Sequence, residues 1–314
     1  MNKKIIIDCD PGHDDAVAIM LAAANKTIDI LGITCVGGNS TLENTKLNAL
    51  KICSLINRTD IPIYAGENKP MKLELVTAAH VHGKSGLDIE GSPIEVKNNY
   101  NIQDIHAVDF IIKSCKENKD PIYLCPTGPL TNIATALIKD PTIKNNIKQI
   151  IFMGGAGLCL GNITPSAEFN IYVDPHAANI VLNSGIPLIM MGLDVTHKVN
   201  VNDQIIKDIE KNNNRASKFF ADLMKFYSKF HRKLYQTNES PLHDPCVIAY
   251  LIKPKIFKGK KVNVMVEEVS NLTRGKTVVD WLGVTERKPN CYVMVEADVE
   301  QFFSLLKQEL KNLI

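Results

Sequence analysis

The chain has no apolar run near the roughly 20 residues that a bilayer-spanning helix requires. Met1-Asn-Lys-Lys4 leads straight into a strand pattern and not into the apolar core of a signal peptide. A cytoplasmic protein with no membrane partner is expected. An excess of one charge is also missing: 36 Lys and Arg stand against 34 Asp and Glu, a formal net charge of +2. That balance carries no nucleic-acid footprint. The eight cysteines, at positions 9, 35, 53, 115, 125, 159, 246 and 291, include no C-x-x-C pair. Buried free thiols are expected, not a disulfide framework or a zinc site. No G-x-x-x-x-G-K-[ST] occurs, and Gly154-Gly-Ala-Gly157 does not complete G-x-G-x-x-G, so a nucleotide cofactor is not expected. Internal repeats, linkers and low-complexity tracts are absent too, which points to one domain over residues 1–314.

What the chain does have is acid at the end of its first strand. Ile5, Ile6 and Ile7 form the continuous apolar run of a buried parallel strand. Asp8, Asp10, Asp14 and Asp15 follow within eight residues, split by Pro11-Gly12. A helix pattern begins at Ala16. In open α/β sheets, ligands bind at the carboxyl ends of the strands. One acid at a helix start is an ordinary cap. Four crowded there repel one another and lose solvation, a conflict that a hard cation relieves.

The remaining chain reads as strands alternating with helices. Strands are expected at 28–36, 62–65, 122–125, 149–153 and 188–191, and helices at 42–56, 105–117, 131 onward and 175–183, with Thr131 or Asn132 as a helix cap. That pattern gives an α/β fold: an open, mostly parallel sheet with helices on both faces, a Rossmann-like core. Residues 67–101 read as a long irregular segment, and loops of that length are usually functional. Beyond 202 come extra helices to 235, a small mixed sheet at 262–268, 277–281 and 292–296, and a closing helix at 302–313. Polar residues gather just past the strand ends: Asn39, Thr127, the loop after Met153 with Asn162, Glu168 and Asn170, and His243-Asp244 before a late helix. Taken singly, each reads as a turn or cap residue. Their joint placement on one sheet edge reads as a site.

Asp8-Cys-Asp-Pro-Gly-His-Asp-Asp15 resembles the D-x-D-P-G-x-D-D signature of the nucleoside hydrolases, and the chain is most similar to their inosine–uridine-preferring branch. Matching segments run from residue 5 to about 250. The resemblance implies a ribonucleoside substrate, purine or pyrimidine, cleaved at its N-glycosidic bond to base and ribose. It implies Ca2+ held by Asp10, Asp15 and Asp244 with the Thr127 carbonyl, Asp14 as general base, and a ribose pocket of Asn39, Asn162, Glu168 and Asn170 with Met153 nearby. His243 is the candidate acid for the leaving base. Val81-His82-Gly-Lys-Ser-Gly86 resembles the family's mobile loop, which makes His82 a substrate contact. Asp194-Val-Thr-His197 resembles a further family segment without an assigned role. Tyr227 matches the first of two pocket tyrosines; His231 stands where the second falls. His231 is thus a proton donor, a determinant of base preference, or a solvated side chain on a Lys-rich helix. A branch that stacks purines on tryptophan is disfavoured, since the single Trp281 lies outside the matching segments. Relatives assemble as homotetramers or homodimers. Two other functions fit part of the pattern: a D-x-D phosphatase or phosphotransferase, which Pro11-Gly12 and Asp14-Asp15 argue against, and a non-catalytic Ca2+-dependent nucleoside-binding protein.

Overall fold

The computed structural model describes residues 2–89 and 94–313, without the side chains of 231–235. Eleven strands run β1 (Lys3–Cys9), β2 (Ile28–Cys35), β3 (Ile63–Ala65), β4 (Ile122–Pro126), β5 (Ile147–Met153), β6 (Leu188–Met191), β7 (Asn200–Val201), β8 (Ser240–Pro241), β9 (Phe257–Val266), β10 (Thr277–Asp280) and β11 (Cys291–Ala297). Nine of them form one sheet in the order β10-β9-β11-β6-β5-β4-β1-β2-β3. From β3 to β11 every pairing is parallel; β9 and β10 continue the sheet beyond β11 as one antiparallel edge.

Strand alternation separates two apolar cores across this sheet. Ile5 and Ile7 of β1, with Ile151 and Met153 of β5, pack into one. Ile6, Ile150 and Phe152 pack into the other. Covered on both faces, these strands need apolar residues at every position, which is why their sequences read as continuous runs. The chain leaves β1 for β2 and β3 on one side, then crosses back to β4 on the other. The loops after β1 and β4 therefore part, and the crevice between them opens at the carboxyl ends of both strands.

All six expected parallel strands are present, and the expected parallel sheet with flanking helices stands. The three late strands do not make a separate small sheet. They extend the main one, because β11 pairs in parallel with β6. The separate sheet is the two-stranded β7–β8 ladder. Thr131 and Asn132 are not caps: the helix Thr131–Lys139 has Leu130 at its N-cap. Thr131 Oγ1 donates to Asp174 Oδ2 at 2.8 Å, and Asn132 Nδ2 donates to Asp8 Oδ1 at 2.8 Å. Long-range partners thus outcompete the local capping bond. The closing helix is Val299–Leu310; it starts early because Asp298 Oδ1 accepts from the Gln301 N–H at 3.0 Å. The segment 202–235 holds two helices, Asp203–Glu210 and Arg215–Tyr235. Within 67–101 a single turn of helix forms at Ala79–His82, and residues 90–93 lie outside the described residues.

No helix among the described residues is long and apolar enough to cross a membrane. All eight cysteines are free, and all but Cys159 are buried. Burial pushes the thiols of Cys53, Cys115 and Cys125 up to about 12, so they stay protonated and inert.

Candidate active site

The helix His13–Ala24 follows β1 through the Pro11-Gly12 turn and carries Asp14 and Asp15 in its first turn. A second helix, Pro245–Ile252, packs against it and begins at Asp244. Two helix N-termini thus bring their acids together, each favouring negative charge there. Asp14, Asp15 and Asp244 can each place one carboxylate oxygen within 4.8 Å of the others. Asp10, Asp14, Asp15 and Asp244 are all buried.

The donors around this cluster are few and specific. Asp15 Oδ2 accepts from the Gly12 N–H at 2.9 Å, and its Oδ1 accepts from Thr127 Oγ1 at 2.7 Å. Asp10 Oδ2 accepts from the Asn39 N–H at 2.6 Å. Asp10 Oδ1 is buried with no hydrogen-bond partner. Two glycines press on that carboxylate: a Cβ on Gly38 would overlap Oδ2, and one on Gly128 would stand 2.6 Å from Oδ1. Burial pushes all four carboxyls up, Asp14 to about 7, and mutual repulsion adds to the rise at Asp10, Asp14 and Asp244. No lysine or arginine among the described residues lines the pocket above them. An orphaned buried carboxylate oxygen, a cradle that only glycine leaves open, and an all-oxygen donor set fit a hard divalent cation.

Asp8 does not join the cluster. Its Oδ1 accepts from Thr34 Oγ1 at 2.6 Å and from Asn132, which also donates to the Cys35 carbonyl at 3.1 Å. Asp8 therefore fixes the backbone behind the site.

Above the acids lies an open pocket. It is lined by Asp14, Asn39, His82, Thr127, Met153, Asn162, Glu168, Asn170, Tyr227, His243 and Asp244. All the expected site residues thus converge, with Asp10 and Asp15 buried at the base, except His231, whose side chain lies outside the described residues. Glu168 caps the short helix Phe169–Val173, accepting from the N–H groups of Asn170 and Ile171, and its Oε2 also takes the Gly155 N–H at 2.9 Å. Asn162 Oδ1 accepts from the Phe169 N–H at 2.9 Å. Asn170 Nδ2 donates to the Thr127 carbonyl at 2.7 Å and to the Met153 carbonyl at 3.2 Å. A carbonyl oxygen has two lone pairs, so Thr127 keeps one for a cation. Asn39 serves the acids as well as the pocket, since its Nδ2 donates to the Asp10 carbonyl at 3.2 Å and to Asp15 Oδ2 at 3.3 Å.

Several residues here escaped the sequence reading. His13 Nδ1 lies 3.0 Å from His82 Nδ1, and its Nε2 lies 2.7 Å from the Asp88 carbonyl. Its ring stacks on Phe226 and Tyr227. Burial pulls His13 down to about 4, so it is neutral at pH 7. Phe230 faces the pocket one turn beyond Tyr227, a spacing that the helical period could have flagged. Thr196 Oγ1 lies 2.8 Å from His243 Nδ1 across 47 residues of sequence, a contact without any local signal.

Known proteins resemble the chain over nearly its whole length. The family model described as inosine-uridine preferring nucleoside hydrolase matches residues 5–304. The chain is 44% identical over 308 residues to the pyrimidine-specific ribonucleoside hydrolase RihA of Escherichia coli, covering 98% of each chain. It is 45% identical over 314 residues to an uncharacterised protein of Schizosaccharomyces pombe, covering 99% of each. Among solved structures, the purine-preferring ribonucleoside hydrolase from Gardnerella vaginalis superposes with a TM-score of 0.91 at 34% identity, covering 98% of each chain.

Proposed function

The chain belongs to the inosine–uridine-preferring nucleoside hydrolase family and is a ribonucleoside hydrolase; from that premise we propose how its own residues divide the reaction. Asp10, Asp15 and Asp244, with the Thr127 carbonyl, hold Ca2+, Asp14 is the general base, and His243 is the general acid. The observation that carries this reading is the set of four buried carboxylates beneath one pocket that Asp14 and His243 both line. The bound ion would supply positive charge that acidifies a water molecule and orients the ribose hydroxyls.

Asp14 takes the proton of the attacking water. That water adds to C1′ as the C–N bond breaks, and the bonding pair leaves with the base. The sugar gains oxocarbenium character, as in inverting glycosidases. His243 gives the base its proton. Asn162, Glu168 and Asn170 hold the sugar by its hydroxyls, and Glu168 is itself fixed by three backbone N–H groups. His82 and Tyr227, with ring centroids 5.8 Å apart, form the wall nearest the base. Self-association as a homodimer or homotetramer, a cytoplasmic location and a single catalytic domain over 1–314 go with this reading on the family resemblance.

The relatives' names span pyrimidine and purine nucleosides, so a panel of ribonucleosides with reducing-sugar detection is the test of the reading. Release of ribose from none of them would refute it. Within that panel, His243→Ala slows inosine cleavage by about 10²- to 10⁴-fold, the usual worth of a general acid. It slows p-nitrophenyl riboside far less, because nitrophenolate leaves without a proton. Equal losses on the two substrates would remove His243 from the acid role. Gly38→Ala forces a methyl group onto Asp10 Oδ2. It weakens Ca2+ binding by roughly 10- to 100-fold, the usual cost of disturbing the support of a metal ligand. Calcium titration monitored by calorimetry reads this directly; unchanged affinity would mean that Asp10 is not a ligand.

A further inference from the structure

The segment Asp194-Val-Thr-His197, without a role in the sequence, forms the short helix Leu193–Thr196 directly after β6. Thr196 is fully buried, and its Oγ1 lies 2.8 Å from Nδ1 of His243. The two residues are 47 apart in the chain, so the contact is made by the fold and not by local geometry. Two anchors keep the pair in register. The β7–β8 ladder joins the chain just after Thr196 to the chain just before His243, and the Leu242 N–H donates to the Val199 carbonyl at 2.8 Å. On the other side, the carboxylate of Asp194 accepts from the N–H groups of Gly157 and Leu158, at 2.8 and 2.7 Å. That ties the helix to the same turn whose Gly155 N–H holds Glu168. The minor sheet and the short helix together form a bracket with His243 in its jaw.

We propose that Thr196 is a positioning residue for His243: its hydroxyl accepts the Nδ1–H and so assigns Nε2 as the nitrogen that hands its proton to the departing base. This inference rests on His243 being the general acid. The proton balance is simple. The imidazolium carries a proton on each nitrogen; Nε2 gives one to the base nitrogen as the C–N bond breaks; the neutral ring keeps Nδ1–H on Thr196 and regains its second proton from solvent. Fixing tautomer and ring orientation through the far nitrogen is how a hydrogen-bonded partner sharpens an acid–base histidine. A neutral imidazole in the Nδ1–H form, held by a buried hydroxyl, is the mark of this arrangement.

The test compares Thr196→Val, Thr196→Ser, His243→Ala and the double Thr196→Val/His243→Ala on inosine and on p-nitrophenyl riboside. Thr196→Val should lower kcat on inosine by about 10- to 100-fold, a share of the general-acid effect, with KM changed little and a much smaller loss on p-nitrophenyl riboside. Thr196→Ser, which keeps the hydroxyl, should recover most of the activity. The double variant should be no slower than His243→Ala alone. Long-range 1H–15N correlation of 15N-histidine-labelled wild-type protein, at a pH where the ring is neutral, should show His243 protonated at Nδ1. A selective loss in His243→Ala beside an unimpaired Thr196→Val would overturn this inference alone. So would Thr196→Ser as impaired as Thr196→Val, or a ring protonated at Nε2. Equal losses on both substrates in His243→Ala would overturn the acid reading and this inference with it.

Discussion

Asp14→Asn lowers kcat on inosine, uridine and p-nitrophenyl riboside alike, by about 10⁴-fold, the upper range for a general base. Every substrate needs the water activated, so the loss does not depend on the leaving group. Asn keeps the size of the side chain and an oxygen in place, but it accepts a proton far more weakly than a carboxylate. Asp10, Asp15 and Asp244 remain, so Ca2+ binding by calorimetry falls much less than the rate. Asp14 lies in the first turn of its helix, within the 4.8 Å set it shares with Asp15 and Asp244. If the loss fell on inosine alone, or if Ca2+ binding fell as steeply as the rate, Asp14 would belong to the leaving-group side or to the ion, and not to the water.

Removing the substrate's 2′-hydroxyl has an effect of the same order. The part of the pocket that we assign to the sugar is polar and preset: Glu168 and Asn170 are buried, and Asn162 is pinned by the Phe169 N–H. These groups have no side-chain freedom with which to compensate for a missing hydroxyl. A site built to hydrogen-bond a hydroxyl rejects the analogue lacking it by roughly 10⁴-fold, because its buried polar groups are left unpaired. We expect kcat/KM for 2′-deoxyinosine to fall by that factor relative to inosine. Comparable values for the two would show that the pocket does not read the hydroxyl.

Much of the site was legible because its first half is local. Asp10, Asp14 and Asp15 lie within six residues of one another at a strand end, and like charges so close demand an explanation that needs no structure. The six parallel strands were legible for a similar reason, since burial on both faces forces runs such as Ile5-Ile-Ile7. His243 and Asp244 could be noted before a late helix, but the place of Asp244 beside the other acids came only through the resemblance. Nothing local says that the helix after Asp244 packs on the helix after Gly12. The joining of β11 to β6 was hidden because register between strands about a hundred residues apart leaves no periodicity in the sequence. Thr131 and Asn132 misled for the opposite reason. They are good capping residues by propensity, yet Asp174 and Asp8 claim them across the fold. His13 was overlooked among its acidic neighbours, although it holds His82 and the Asp88 carbonyl over the turn.

The proposed reaction depends on a cation that Asp10, Asp15, Asp244 and the Thr127 carbonyl would hold. The direct measurement is a calcium titration of protein stripped by exhaustive chelation, with metal content verified, following melting temperature and ribose release together. An ion that binds the folded state raises stability by about 2.7 kcal/mol at a concentration 100-fold above its Kd. Stripped protein should melt lower and release no ribose, and both properties should return along one binding curve as calcium is restored. Full ribose release from verified metal-free protein, with an unchanged melting temperature, would contradict a catalytic cation at this site.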